Sequence, residues 1–152
     1  MALSPAAPLA LRGSHAGQGA PEGRLNRNLA ALADVLSRLS LGLAPVWEET
    51  CILMASEFGR TVAINGTGRT DHGTGGVCFV LGGAVRGGRV HGDWPGLGRA
   101  ALHEGRDLRP TTDVRAVFKA ALQRTLGLER AALGADVFPG SRDVKPLAGL
   151  FG

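Results

Sequence analysis

Residues 50–93, TCILMASEFGRTVAINGTGRTDHGTGGVCFVLGGAVRGGRVHGD, decide how the rest of the chain is read. Two short apolar runs, 51–55 and 77–81, flank a glycine-rich polar segment carrying Ser56, Glu57, Arg60, Asp71 and His72, in which Asn65-Gly66 and Thr67-Gly68 mark tight turns and the glycines near Asp71 let backbone approach a ligand closely. Apolar runs of this length bounded by turn residues predict strands. The uninterrupted Cys51, Ile52, Leu53, Met54 run predicts a strand buried on both faces, as in a parallel sheet. Loops that join the strands of a rigid sheet are where chemistry concentrates.

Upstream, residues 1–24 are rich in Ala, Gly and Pro without a sustained period, and predict a flexible N-terminal segment. His15 and Gln18 are the residues there with chemical potential. Between 25 and 43, Leu25, Leu29, Leu32, Leu36, Leu39 and Leu43 recur at alternating spacings of four and three. This is one face of an amphipathic helix, and Gly42 with Pro45 ends it. The run is short for a coiled coil, so the expectation is a core helix packed on a sheet.

Downstream, Gly82-Gly83 and Gly87-Gly88 bracket a short extended piece, and 92–106 reads as loop with Trp94-Pro95 as a packed anchor. Thr111-Thr112-Asp113 predicts a helix start with a hydroxyl cap and an acid in the first turn. Val114, Val117, Phe118, Ala121 and Leu122 supply its apolar face, and Gly127 suits its C-terminal cap. A weak helical turn at 129–133 precedes a loose tail over 141–152.

The 152 residues fit one domain with a modest core. No apolar run approaches the roughly 20 residues of a membrane-spanning helix, which argues against a membrane partner. The first residues lack a basic leader and a twin-arginine pair, so no export signal is read. The formal net charge is +4, and all of the 17 basic residues except Lys119 and Lys145 are arginine. They are scattered, without aromatic interleaving, which argues against a nucleic-acid partner. Cys51 and Cys78 each sit in a predicted strand, lack metal-site spacing, and read as free, buried thiols.

Within the central stretch, Glu57 stands at the carboxyl end of the first strand, where a metal ligand or general base could sit; the plainer alternative is a solvated carboxylate paired with Arg60. Asp71 and His72 could offer a hard oxygen and an imidazole nitrogen to one divalent ion. Ser56 and Thr70 are nucleophile candidates by position alone, with no evident base.

SEFGRT (56–61), TDHG (70–73), GG (82–83), GG (87–88), GDWPGL (92–97), PTTD (110–113), LGL (126–128) and VFPG (137–140) occur in one order. Together they closely resemble the C-terminal part of a bacterial family, the domain of unknown function 1501, over residues 25–140. That family is similar to the alkaline phosphatase and sulfatase superfamily, and its members are commonly exported, to the periplasm or beyond, by the twin-arginine route. The resemblance implies an α/β fold: a partial doubly wound sheet like the C-terminal half of such a domain. It implies a divalent-metal cofactor (zinc, manganese or calcium) held by Glu57, Asp71, His72 and His15. It further implies an anionic ester ligand whose developing charge Arg60 would stabilise in a catalytic role.

This chain departs from the pattern at two places. Gly13-Ser14-His15 lacks the carboxylate of the upstream Asp-Thr-His motif, and Phe58 stands where the superfamily more often has His. The nucleophile would lie ahead of Met1, so the expectation is a fragment or truncated paralogue that is catalytically incomplete. The alternative is a non-catalytic binding or assembly module. An incomplete sheet exposes a strand edge, and exposed edges pair with other chains. Self-association of the purified chain is therefore expected, and a monodisperse monomer by light scattering would count against it.

Overall fold

The computed structural model describes Gln18 and residues 23–152. The rest of the predicted N-terminal segment, His15 included, lies outside the described residues. The fold is mixed α/β, in the order α1 (Arg24–Gly42), β1 (Ile52–Met54), β2 (Gly59–Arg60), β3 (His72–Gly73), β4 (Phe79–Leu81), α2 (Val114–Leu126) and α3 (Arg130–Ala132). Short helical turns cover Ala44–Glu49, Arg99–Ala101 and Leu133–Val137.

The two predicted apolar runs do become strands, and they pair with each other. β1 and β4 are antiparallel, with Ile52 opposite Leu81, Leu53 opposite Val80 and Met54 opposite Phe79. The 24 or so residues between them turn back through a second antiparallel pair, β2 with β3. Among the described residues the sheets are these two-stranded pairs, not a doubly wound parallel sheet. Correspondingly, β1 is half-buried rather than buried on both faces.

Strand alternation sorts β1 and β4 into two faces. Leu53, Val80 and Cys78 pack with Val85, Leu147 and Phe151 against a small core of Val117, Ala120 and Leu150. Ile52, Met54, Phe79 and Leu81 point the other way, and Phe79 is 44% exposed. Cys51 and Cys78 are free and half-buried, at opposite ends of the ladder, beyond the reach of a disulfide. Burial raises both thiol pKa values, and the neighbouring Cys78 adds to the rise at Cys51.

α2 is the central helix. Its cap is one residue later than the hydroxyl pair predicts: the Asp113 carboxylate accepts from Arg115 N at 2.8 Å, and Gly127 closes the other end in the left-handed region. Its buried face includes Ala116, Val117, Ala120 and Ala121, while Val114 stays exposed. Lys119 is also on that face and fully buried. Its ammonium donates to the carbonyls of Ser141 and, at 2.9 Å, Val144. Leu147 N donates to Ala116 O, Arg86 N to Leu150 O, and Phe151 bridges to Val85. Residues 141–152, expected to be a loose tail, are therefore wrapped onto α2 and β4's flank, with Leu150 in the core.

Two expectations about burial differ. Trp94 is 68% exposed rather than a packed anchor. α1 forms where the leucine pattern predicts it, but none of its residues is buried, so it is not a core helix packed on a sheet. The leucine period specified the helix; the β1–β4 pair is too narrow to cover both α2 and α1.

Replacing Lys119 by Met keeps much of its volume but leaves the Val144 carbonyl without its donor, while the Ser141 carbonyl keeps only Val144 N. Each unsatisfied group costs about 1–3 kcal/mol, so Lys119→Met is expected to lower the melting temperature by roughly 3–10 °C. Amide exchange should accelerate first in 141–152, and an unchanged melt would remove Lys119 as the anchor of the tail.

Candidate functional site

The central stretch folds around a crossing of three backbone segments. Arg60 N donates to Gly75 O at 2.9 Å, Gly75 N to Leu108 O at 2.9 Å, and Leu108 N to Arg60 O at 3.1 Å. The segments lie so close that a Cβ on Gly59 would stand 2.3 Å from Gly75 O, and one on Gly75 would stand 2.4 Å from Leu108 O. Only glycine permits that approach. The glycines around Asp71 and His72 thus bring backbone to backbone, where the sequence suggested backbone to ligand.

Buried polar groups lock the crossing. Thr61 is 7% exposed, and its hydroxyl accepts from Asp71 N at 2.9 Å while its own N donates to Asp71 O. Asp107 is buried against Thr74, whose hydroxyl donates to Oδ2 at 2.9 Å. Arg106 Nη2 donates to the same oxygen at 3.2 Å. Its Nε lies 2.7 Å from Oδ1 but off a hydrogen-bond axis, so that contact is ionic. The Arg106 hydrogen bond holds the Asp107 carboxyl below its ordinary pKa; the Thr74 hydroxyl assists and burial opposes. Neither Asp107 nor Thr61 stood out in the sequence. A lone acid in a glycine-rich loop has no periodic or spacing signal, and its partner Thr74 is 33 residues away.

β2 and β3 place Arg60 directly opposite His72. Opposed residues share a face, so guanidinium and imidazole emerge side by side. Phe58 stacks on the His72 ring at 4.3 Å with an interplanar angle of 14°. Arg60 Nη1 donates to Thr70 O at 3.1 Å. Gln18, 52 residues upstream, reaches the same turn: its Oε1 accepts from Thr70 N at 2.9 Å and from the Thr70 hydroxyl at 3.4 Å. Phe58, Arg60, Thr70, His72 and Gln18 therefore converge on one exposed surface.

The other candidates point elsewhere. Asp71 is next to His72 and leaves the opposite side of the strand; its Oδ1 accepts from Asn65 Nδ2 at 2.7 Å. Asn65 also accepts from Thr67 N and Arg69 N, closing the predicted Asn-Gly turn. Glu57 is exposed to solvent, as the plainer reading has it, but is not paired with Arg60, whose Nη1 donates to Thr70 O. Ser56 Oγ accepts from Phe58 N at 3.2 Å, as a turn cap, and the Thr70 hydroxyl is committed to Gln18. Among the described residues no three His, Cys, Asp or Glu side chains come together as a metal-ligand set, and His15 lies outside them. Two depressions, of about 360 and 180 Å³, are lined by other residues: Gly134, Ala135, Gly140, Arg142 and Asp143 in one, Glu48, Glu49, Ala84, Arg124, Thr125 and Phe151 in the other.

A carboxyl whose folded pKa lies below its unfolded value stabilises the fold above the unfolded pKa, and that stability is lost as pH falls through the folded one. Asp107 is such a group, as is Asp113, lowered chiefly by its hydrogen bond from the Arg115 side chain. The melting temperature is expected to fall as pH drops below about 4. In Asp107→Asn this acid-induced fall should be shallower, starting from a lower plateau at neutral pH. Superimposable pH profiles would show that the Arg106–Asp107–Thr74 contacts do not hold the crossing.

No helix among the described residues is long and apolar enough to cross a membrane. No curated protein and no solved structure matches the chain. Residues 14–137 match the family model described as Protein of unknown function (DUF1501). The match starts upstream of residue 25, where the resemblance read from the motifs begins, and takes in Gln18, whose side chain is docked on the Thr70 turn. A model covering most of the chain, whose matched segments the fold draws to one surface, establishes the identity: this protein belongs to the DUF1501 family.

Proposed function

We infer that the surface carrying Phe58, Arg60 and His72 binds an anionic ester, as part of a phospho- or sulfo-ester hydrolase-like domain that this chain does not complete by itself. The observation that supports this most directly is the register of β2 and β3, which sets the Arg60 guanidinium beside the His72 imidazole on an exposed face. A guanidinium presents a planar fork of donors that matches the oxygens of a phosphate or sulfate group. The stacked Phe58 ring fixes the imidazole and offers an apolar patch for an organic substituent. Gln18 steadies the turn whose Thr70 carbonyl orients Arg60.

The incomplete part is equally specific. Hydrolysis of these esters needs a nucleophile and, in the superfamily the motifs resemble, divalent metal acting on the ester oxygens. Ser56 and Thr70 are both tied into turns. Glu57, Asp71 and His72 do not converge, so the described residues do not fit a metal centre. Arg60 is then a binding group rather than a catalytic one in this chain.

A second reading, a module for assembly, is supported by the distribution of apolar side chains. The buried apolar core consists of Leu102, Leu133, Leu150, Val117 and three alanines, while Leu25, Leu29, Leu39, Phe58, Phe79, Trp94 and others are exposed. The strands of the β1–β4 pair also leave their outer edges open to another chain.

The ester reading is tested by titrating the chain with sulfate and vanadate by calorimetry, alongside turnover of nitrophenyl phosphate and sulfate. Weak anion binding and no turnover are expected. Loss of a hydrogen-bonded cation is worth about 1.5–3 kcal/mol, so Arg60→Ala should weaken binding by roughly 10–100-fold. Anion binding that ignores Arg60 rules the reading out. A zinc, manganese or calcium ion that binds stoichiometrically, raises the melt and is lost with Asp71→Ala would instead establish a metal centre completed by residues such as His15.

A further inference from the structure

We propose that α1 is a self-association element, pairing antiparallel with α1 of a second copy of this chain through its leucine seam. The proposal is independent of the ester-binding reading.

The seam is Leu25, Leu29, Leu32, Leu36, Leu39 and Leu43, spaced four, three, four, three, four. That is a strict 3.5-residue repeat. A helix laid on a sheet or globular core carries a wider 3.6-residue stripe, whereas a strict 3.5 repeat faces another helix of the same repeat, knob into hole. Among the described residues nothing fully covers the seam: Leu25, Leu29 and Leu39 are 41–47% exposed, Leu32, Leu36 and Leu43 are part-buried, and no residue of α1 is buried. α2 spends its apolar face on the core, and α3 is a single turn. Among the described residues, the matching seam is α1 itself.

The positions beside the seam remove the usual obstacle to self-pairing. Asn26, Asn28, Ala33, Val35, Ser40 and Gly42 flank it, and none is charged. Like-charge repulsion across the pair is absent, and small residues in the second half allow close approach. Arg24, Arg27, Asp34 and Arg38 lie outside the contact.

The helix dipoles select the direction: antiparallel copies set each positive N-terminal end beside a negative C-terminal end, and parallel copies set like ends together. Fully burying an exposed leucine removes roughly 60–120 Å², and these leucines are less than half exposed, so the twelve of two copies remove on the order of 500 Å². That is the size of a weak contact, so a dimer dissociating at about 100 μM is expected.

Sedimentation equilibrium of the full chain from about 1 to 200 μM reads this directly. A monomer–dimer equilibrium is expected. Leu29→Glu with Leu36→Glu should weaken it at least 100-fold, while Leu41→Glu, the same charge on the outer face, should leave it unchanged. Since Leu29 and Leu36 are outside the core, amide exchange in α2 should be the same in all three proteins. The pair Leu29→Ala with Leu36→Ala preserves helix propensity and should weaken the dimer about tenfold. A wild-type monomer across the whole range overturns the proposal. So does a dimer indifferent to both seam pairs, which would place association on the open edges of β1 and β4.

Discussion

The structure depends on the approach of three backbone segments at Gly59, Gly75 and Leu108. Their mutual hydrogen bonds convert a glycine-rich loop into a fixed crossing, and two of the three positions are closed to any side chain by backbone atoms within 2.4 Å of a Cβ. Everything functional in the central stretch hangs from this contact. β2 and β3 exist as a pair because the crossing holds them in register, and the register sets Arg60 beside His72. Asp107, buried beneath with Thr74 and Arg106, supplies the charge-assisted bonds that a glycine crossing cannot supply for itself.

The rest of the fold is organised by a second scarcity, that of apolar cover. Three strand residues on each of β1 and β4 offer one inner face, and α2 with the returning segment 141–152 consumes it. Lys119 shows how strongly that return is specified: a buried ammonium is tolerated because the carbonyls of Ser141 and Val144 receive it. Among the described residues, the outer face of β1–β4 and the seam of α1 stay only partly covered. Exposed apolar area of that kind on a folded chain marks a contact surface.

Family membership fits this picture without settling chemistry. The matched segments lie far apart in sequence, and the fold gathers Gln18, residues 58–61 and residues 70–75 into one place. The same geometry separates Asp71 from His72, adjacent in sequence, because neighbours on a strand face opposite ways. Adjacency in the sequence suggested one ligand set; alternation along the strand divided it between an Asn65 turn and a Phe58 stack.

By itself the sequence determined the local elements whose signals are periodic or steric. The leucine spacing determined α1, the apolar runs determined β1 and β4, Gly127 marked the end of α2, and the Asn-Gly pair marked the turn at Asn65. Arg60 and His72 were legible as candidates because their residue types and their place between strands are local facts. Pairing is not local. Only the tertiary structure decided that β1 meets β4 antiparallel rather than in a doubly wound sheet. It alone decided that Asp107 and Thr61 lie under the site, that the segment after Ser141 closes the core, and that no residue of α1 is buried. The reason is physical: a residue's period specifies which face it shows, but what meets that face depends on how much apolar surface the whole chain can bring there.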